Sequence, residues 1–338
     1  MPVAFVEPPP TNHHGVSFDV EEDGSPTKLS EEKRLERMMN AHQTLVDMVH
    51  ERNEKGIIPF AKDCQARLEA LGGWQSHGIH MTDSPPPVVQ DTFLLPHSKS
   101  QFPVTVLDGV LSQEVCRSFI DVHEKVGFAK PPSLLVSLVE QLEGQQDAEY
   151  LKKYAYEQAK NTSELVQIES NEFAAYLWAH IQDHLPDQQA SFGQFTTGMY
   201  QKCGIIPVFR FMRYEQDQGF KPHTDPQRIF TKCPPLHHNS TTATTTEGEP
   251  GIYQSLFTIA LYLNDPATDF EGGKLNFVKL HVDSDGTKRY QSLATVDPAV
   301  GRCVLFSHEE LHEGGGVQAG TKYMCQCDVL YKRVGDLP

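Results

Sequence analysis

The chain has 338 residues, a formal net charge of −16, and 38% hydrophobic against 22% charged residues. That is the composition of a globular protein long enough to bury a substantial core. The acidic balance argues against nucleic acid or an anionic membrane surface as main partner, because both need basic patches. A basic peptide or a small molecule is left open. The seven cysteines are scattered without a CxxC pair, unlike a disulfide framework or a zinc ribbon, and are read as reduced. Met1–Pro10 has neither a basic region nor a long apolar core, and nothing along the chain reaches the length of a membrane span. The expected location is the cytoplasm or the nucleus.

In chain order, residues 1–29 carry five carboxylates against one lysine among several prolines and are expected to be disordered. Ser30 reads as an N-cap, with Glu31 and Glu32 in the first turn of a helix that ends near Gly56. A second helix is expected from about Ala61 to Leu71, stopped by Gly72-Gly73, and Asp83 to Pro96 reads as a Pro-rich linker. Phe102–Leu107 suggests a strand, and Ser112 opens a capped amphipathic helix. Helical patterns continue over 131–160 and from Ser170 to about His184. From Phe209 onward short strand-like runs dominate: 209–214, 256–263, 274–278, 303–306 and 323–331. Their length and their Gly, Pro, Asn and Asp spacers point to an antiparallel sandwich or barrel. Residues 231–250, with their threonine run, read as a mobile loop. Cys233, His237 and His238 in it are a weak metal-binding cluster, with a solvated loop the plainer reading. The alternation around Cys325-Gln326-Cys327 puts both thiols on one face of a strand.

Chemistry concentrates in the strand-rich half. His223-Thr224-Asp225 is a His-x-Asp pair. On a strand, residues two apart share a face, so an imidazole and a carboxylate can meet one ion. With 16 histidines, about one such pair is expected by chance. The downstream context changes its weight. His312 precedes a glycine-rich turn, and Lys322 follows ten residues later at the start of an alternating run. Two histidines and one carboxylate leave three positions of a non-haem Fe(II) open, whereas catalytic zinc usually keeps one. If the turn reverses the chain, Lys322 comes back near the metal, where it can pair with the far carboxylate of a dicarboxylate cosubstrate. His308, four residues before His312, is the competing histidine. The Glu-Gly after His312 and its spacing to Lys322 favour His312.

The segments Phe209–Tyr214, Phe220–Asp225, Ala260–Asn264, Glu271–Phe277 and Leu311–Gly314 through Gly320–Tyr323 lie in one order over about two-thirds of the chain. In this they resemble the prolyl 4-hydroxylase-like branch of the 2-oxoglutarate/Fe(II) dioxygenases. The resemblance implies an α+β chain in which a double-stranded β-helix (jelly-roll) core with supporting helices spans 96–338, behind a helical extension and linker over 30–95. It implies His223, Asp225 and His312 as metal ligands and Lys322 as partner of the 2-oxoglutarate distal carboxylate. Tyr262 would donate to the same carboxylate, Thr258 would add a hydroxyl, and Tyr214 would stand beside the cosubstrate. It further implies Fe(II), 2-oxoglutarate and O2, with ascorbate as reductant. The implied reaction is hydroxylation, which the carboxylate of Asp225 favours over halogenation. A prolyl residue of a protein or peptide is the first expected substrate and a small molecule the second. A non-catalytic binding module would not need this residue set, and a zinc hydrolase gives Lys322 and Tyr262 no purpose.

Overall fold

The computed structural model describes residues 58–81, 87–96, 98, 102–130, 163–192, 197–234, 247–283 and 286–337, with short strands at Val3–Ala4, Phe18–Val20 and Pro26–Lys28. The helices expected over 30–56 and 131–160 and the centre of the 231–250 loop lie outside the described residues. Within the Pro-rich stretch, Val3–Ala4 pairs with Arg228–Ile229, and Phe18–Val20 pairs with Pro26–Lys28.

Among the described residues, three helices precede most of the strands. Helix α1 spans Ile58–Ala70, and Gly72 and Gly73, at φ +87 and +70, end it in the left-handed region that favours glycine. Helix α2 (Gln113–Val126) starts at Ser112, whose hydroxyl accepts the Val115 N–H. Helix α3 (Asn171–Ile181) starts at Ser170, whose hydroxyl accepts the Phe173 N–H, and runs into a short 3-10 turn over Gln182–His184. The Ser112 cap stands where the sequence puts it, and Ser170 caps a helix that the sequence starts at that residue, since an N-cap oxygen satisfies an otherwise unpaired N–H of the first turn.

The strands are β1 (Val88–Phe93), β2 (Val104–Asp108), β3 (Glu164–Glu169), β4 (Gln188–Ser191), β5 (Gly198–Ile205), β6 (Val208–Tyr214), β7 (Phe220–His223) and β8 (Arg228–Lys232). They continue as β9 (Pro250–Tyr262), β10 (Phe270–Gly272), β11 (Leu275–Val282), β12 (Lys288–Val296), β13 (Cys303–Ser307), β14 (His312–Gly314), β15 (Val317–Gly320) and β16 (Lys322–Gly335). The large antiparallel sheet runs β1-β2-β13-β9-β16. There β16 pairs with β6 over Lys322–Gln326 and with β5 from Val329 on. A smaller sheet runs β7-β14-β11-β12. Strand β1 is a correction: it falls in the stretch read as linker. Its side chains are mostly exposed, so an edge strand there carries no alternating signal.

The two faces of the large sheet bury different things. Phe257, Ile259 and Leu261 of β9 and Cys325, Cys327 and Val329 of β16 pack with Phe119, Phe173 and Leu177 of the helices. Ala260, Tyr262, Met212, Tyr214, Val304 and Phe306 face the small sheet, against Leu275, Phe277 and Val296. This is two sheets face to face with helices behind one of them, the jelly-roll architecture expected from the resemblance.

The helix-side core contains a titratable group. His123 is fully buried, accepts the Trp74 indole N–H at 3.3 Å and stacks on Phe119. Burial lowers its pKa from 6.5 to about 3. Below pH 6.5 the unfolded chain binds a proton that the folded chain refuses, so stability falls as pH drops from 6.5 toward 3. Urea unfolding is expected to lose about 2–3 kcal/mol from this group between pH 7.5 and 4.5. His123→Phe should remove most of that acid sensitivity; an unchanged pH slope in this variant would refute the assignment.

Candidate active site

The site forms where the two sheets face each other. His223 is the last residue of β7 and pairs directly with His312, the first residue of β14. The ring centroids stand 4.4 Å apart. Phe220 stacks on the His223 ring at 3.6 Å, and Phe306 meets His312 edge-on at 4.7 Å, so aromatic packing fixes both imidazole planes. Asp225 lies beyond the strand end, a departure from the expectation that both residues of the pair sit on one strand. Its position comes instead from its backbone N–H, which donates to the His308 carbonyl at 3.1 Å.

The Nε2 atoms of His223 and His312 lie 3.8 and 3.7 Å from the Asp225 carboxylate oxygens. Each Nδ1 lies close to a main-chain carbonyl: His223 to Lys221 O at 2.7 Å, His312 to Glu310 O at 2.9 Å. A carbonyl can only accept, so the proton belongs on Nδ1 and both Nε2 lone pairs turn toward Asp225. One ligand atom from each of the three residues lies within 4.8 Å of the others. Two neutral imidazoles and one carboxylate fit a divalent cation whose other positions stay open.

Asp225 is further held by the hydroxyl of Thr258 and by Gln326 Nε2, which donates at 3.3 Å to both oxygens. Burial alone would raise its pKa. The imidazoles of His312, His308 and His223 clustered around it and the Thr258 hydroxyl more than reverse that, holding the carboxyl well below the usual carboxylate range. Thr258, expected to add a hydroxyl contact to the cosubstrate, gives its hydroxyl proton to Asp225 here. The predicted consequence of Thr258→Val is metal affinity about 10–100-fold weaker. A Mn(II) titration checks this. Unaltered metal affinity with impaired 2-oxoglutarate binding would restore the sequence-based role.

Lys322 is 4% exposed. It pairs with Tyr214 across β16 and β6, and its ammonium donates to Gly273 O at 2.6 Å. The same nitrogen lies 5.1 Å from the Tyr262 ring centroid and 5.5 Å from that of Tyr214. No carboxylate meets Lys322 among the described residues, and burial lowers its pKa to about 7. Burial raises the Tyr214 hydroxyl to about 12, with a hydrogen bond to Ser163 opposing it. Gly273 stands at φ +64, where a Cβ would meet Lys322 Cδ at 2.9 Å. The Gly272-Gly273 turn is therefore a requirement of the lysine's seat.

One cavity is lined by His223, His312, Thr258, Tyr262, Tyr214 and Lys322, and an adjoining one reaches Asp225. All seven residues singled out in the sequence thus gather between the sheets. His308 does not join them with its ring, which lies 3.7 Å from Asp328. Of the loop cluster, Cys233 is buried, while His237 and His238 lie outside the described residues. Sequence reasoning missed Gln326, although a signal existed. With Cys325 and Cys327 on the helix side, Lys322, Met324, Gln326 and Asp328 must share the opposite face.

Comparison with known proteins gives a matching result for this region. Residues 209–327 match the family model described as the 2OG-Fe(II) oxygenase superfamily. None of the curated proteins matches the chain at a significant level. Similar solved structures include a viral collagen prolyl hydroxylase from Paramecium bursaria Chlorella virus-1 in its 2OG complex. It is 16% identical with a TM-score of 0.34, over 68% of this chain and 95% of that one. A Pseudomonas putida prolyl-4-hydroxylase is 11% identical with a TM-score of 0.30, over 68% and 92%. A Trichoplax adhaerens prolyl hydroxylase, bound to a peptide fragment of the hypoxia inducible factor oxygen degradation domain, is 16% identical with a TM-score of 0.28, over 59% and 89%. Among the described residues, no helix is long and apolar enough to cross a membrane.

Proposed function

We propose that the chain, whose residues 209–327 match the model of the 2OG-Fe(II) oxygenase superfamily, is a dioxygenase of that kind. It hydroxylates an unactivated C–H bond, in the first place on a prolyl residue of a protein or peptide, with succinate and CO2 as co-products. His223, Asp225 and His312 hold Fe(II). Bound there with 2-oxoglutarate and O2, the iron supplies the oxidising chemistry, and the protein supplies orientation and a water-poor cavity. Lys322 pairs with the distal carboxylate of 2-oxoglutarate, Tyr262 donates its hydroxyl to it, and Tyr214 closes the same end. Thr258 and Gln326 aim the Asp225 carboxylate. Ascorbate serves as reductant, and the cytoplasm or nucleus is the place of action. The catalytic unit begins at β1 rather than at residue 96, because β1 is hydrogen-bonded into the large sheet.

One observation carries this reading: a His-Asp-His triad and a buried lysine without a carboxylate partner among the described residues line two adjoining cavities that share His223. Metal chelation at one end and charge pairing at the other suit a dicarboxylate such as 2-oxoglutarate. A small-molecule substrate is the second reading, favoured by the guanidinium of Arg210 in the cavity wall.

The test is succinate formation from 2-oxoglutarate by protein loaded with Fe(II) under anaerobic conditions, after air is admitted. The wild type is expected to turn over slowly without substrate and to show a visible charge-transfer band with iron and 2-oxoglutarate. His223→Ala should show neither. Absence of both signals in the folded wild type would rule the reading out.

A further inference from the structure

Beyond Asp225 the cavity wall is charged, and hydroxylation at the triad makes no use of that charge. Arg210, in the middle of β6, lines the same cavity as His223, Asp225, Gln326 and Asp328. Its Nη2 lies 3.0 Å from Asp328 Oδ1, and Arg228 Nε lies 3.3 Å from Asp328 Oδ2. Two guanidiniums therefore share one buried carboxylate. The other acid at this wall is Asp225, whose charge belongs to the metal triad once a divalent ion is held there. One positive charge then remains uncompensated among the described residues. Arg210 Nε is itself buried and has no hydrogen-bond partner among them. Burying a guanidinium with an unused donor is costly unless an anion completes it. The rest of this cavity is largely apolar, with Leu165, Met212, Phe220 and Pro226.

We infer that Arg210 is a substrate-binding residue that receives a carboxylate, so that the group to be hydroxylated sits on a short aliphatic frame carrying a negative charge. The inference rests on the dioxygenase reading of the triad. Arg210 reads the carboxylate through its planar fork, Arg228 keeps Asp328 from neutralising it fully, and the apolar residues hold the aliphatic part. The carboxylate has two possible sources: the α-carboxylate of a free amino acid, or an acidic side chain next to a proline in a peptide.

The experiment uses the full chain with Mn(II) in place of iron, saturated with 2-oxoglutarate so that the Lys322 end is filled. The unpaired electrons of Mn(II) shorten the relaxation of nearby ligand protons in NMR. Two pairs of probes are titrated: L-proline against L-prolinamide, and a capped Ala-Pro-Glu peptide against capped Ala-Pro-Gln. In one pair the carboxylate member is expected to bind at least about tenfold tighter than its amide, and the pair that discriminates identifies the source. Arg210→Gln should abolish the preference. Arg210→Lys, which keeps Asp328 paired, should reduce it several-fold with the melting temperature of the wild type. No preference in either pair, or a preference undiminished in the folded variants, overturns the inference. If 2-oxoglutarate protons themselves show no relaxation, the metal and cosubstrate reading falls first and takes this one with it.

Discussion

Asp225→Ala is expected to lower succinate formation at least about a thousandfold, the equivalent of roughly 4 kcal/mol of transition-state stabilisation supplied through the metal. The two imidazoles remain, held by Phe220, Phe306 and their carbonyl partners, but a pair of neutral nitrogens offers no charge to a divalent ion. Thr258→Val leaves the carboxylate and disturbs only its aim, so its effect is smaller by at least one order of magnitude. The fold should suffer much less than the activity. Asp225→Ala orphans the Thr258 hydroxyl and the Gln326 amide, a cost of about 1–3 kcal/mol, while removing a buried carboxylate relieves a desolvation cost of its own. Mn(II) affinity, succinate yield and thermal unfolding measured together separate the two effects. Metal affinity within tenfold of wild type in a folded Asp225→Ala protein would remove Asp225 from the ligand set.

Much of the site was legible because a strand and a turn impose simple geometry. Lys322 does return toward the metal, but not by a reversal at Gly314–Gly316: residues 312–320 run on antiparallel to 270–277, and the left-handed Gly320 leads into β16. Tyr262 and Lys322 face inward because period 2 leaves them no other side. The serine cap of α2 was legible for an equally local reason, one side-chain oxygen against one free N–H. What escaped depends on pairing across strands. The link from Thr258 to Asp225 requires β9 to lie beside the turn after β7. The Arg210–Asp328 pair requires the register that sets Arg210 opposite Gln326 on β16. Neither follows from spacing along the chain. Strands β1 and β12 were hidden because their side chains are mostly exposed and carry no alternation of apolar and polar residues. Asp225 illustrates a subtler point: the His-x-Asp motif holds in space, but a backbone bond to His308, not strand alternation, holds it there.

Lys322→Met should weaken 2-oxoglutarate binding about a hundredfold, roughly 3 kcal/mol, the usual order for removing one side of a desolvated charge pair. The pH dependence is the sharper signature. In the free protein the Lys322 pKa lies near 7, because burial disfavours the ammonium. A bound carboxylate favours the ammonium, so above pH 7 binding must take up a proton. The dissociation constant should stay level below pH 7 and rise about tenfold per unit above it, up to the pKa of the complex. Lys322→Arg should flatten this rise, since a guanidinium stays charged throughout. Stability runs the opposite way. The unfolded lysine holds its proton up to about pH 10.4, while the folded one releases it near 7. The ligand-free wild type therefore gains stability as pH rises from 7 toward 10. Lys322→Met, relieved of a buried ammonium at neutral pH and losing the bond to Gly273 and the weaker contacts with the Tyr214 and Tyr262 rings, should melt several degrees higher. A variant that binds 2-oxoglutarate poorly yet folds more stably is the mark of a charge kept in the core for a ligand. A Lys322→Met protein that binds as the wild type does, or that melts lower, would mean that this lysine serves the fold alone.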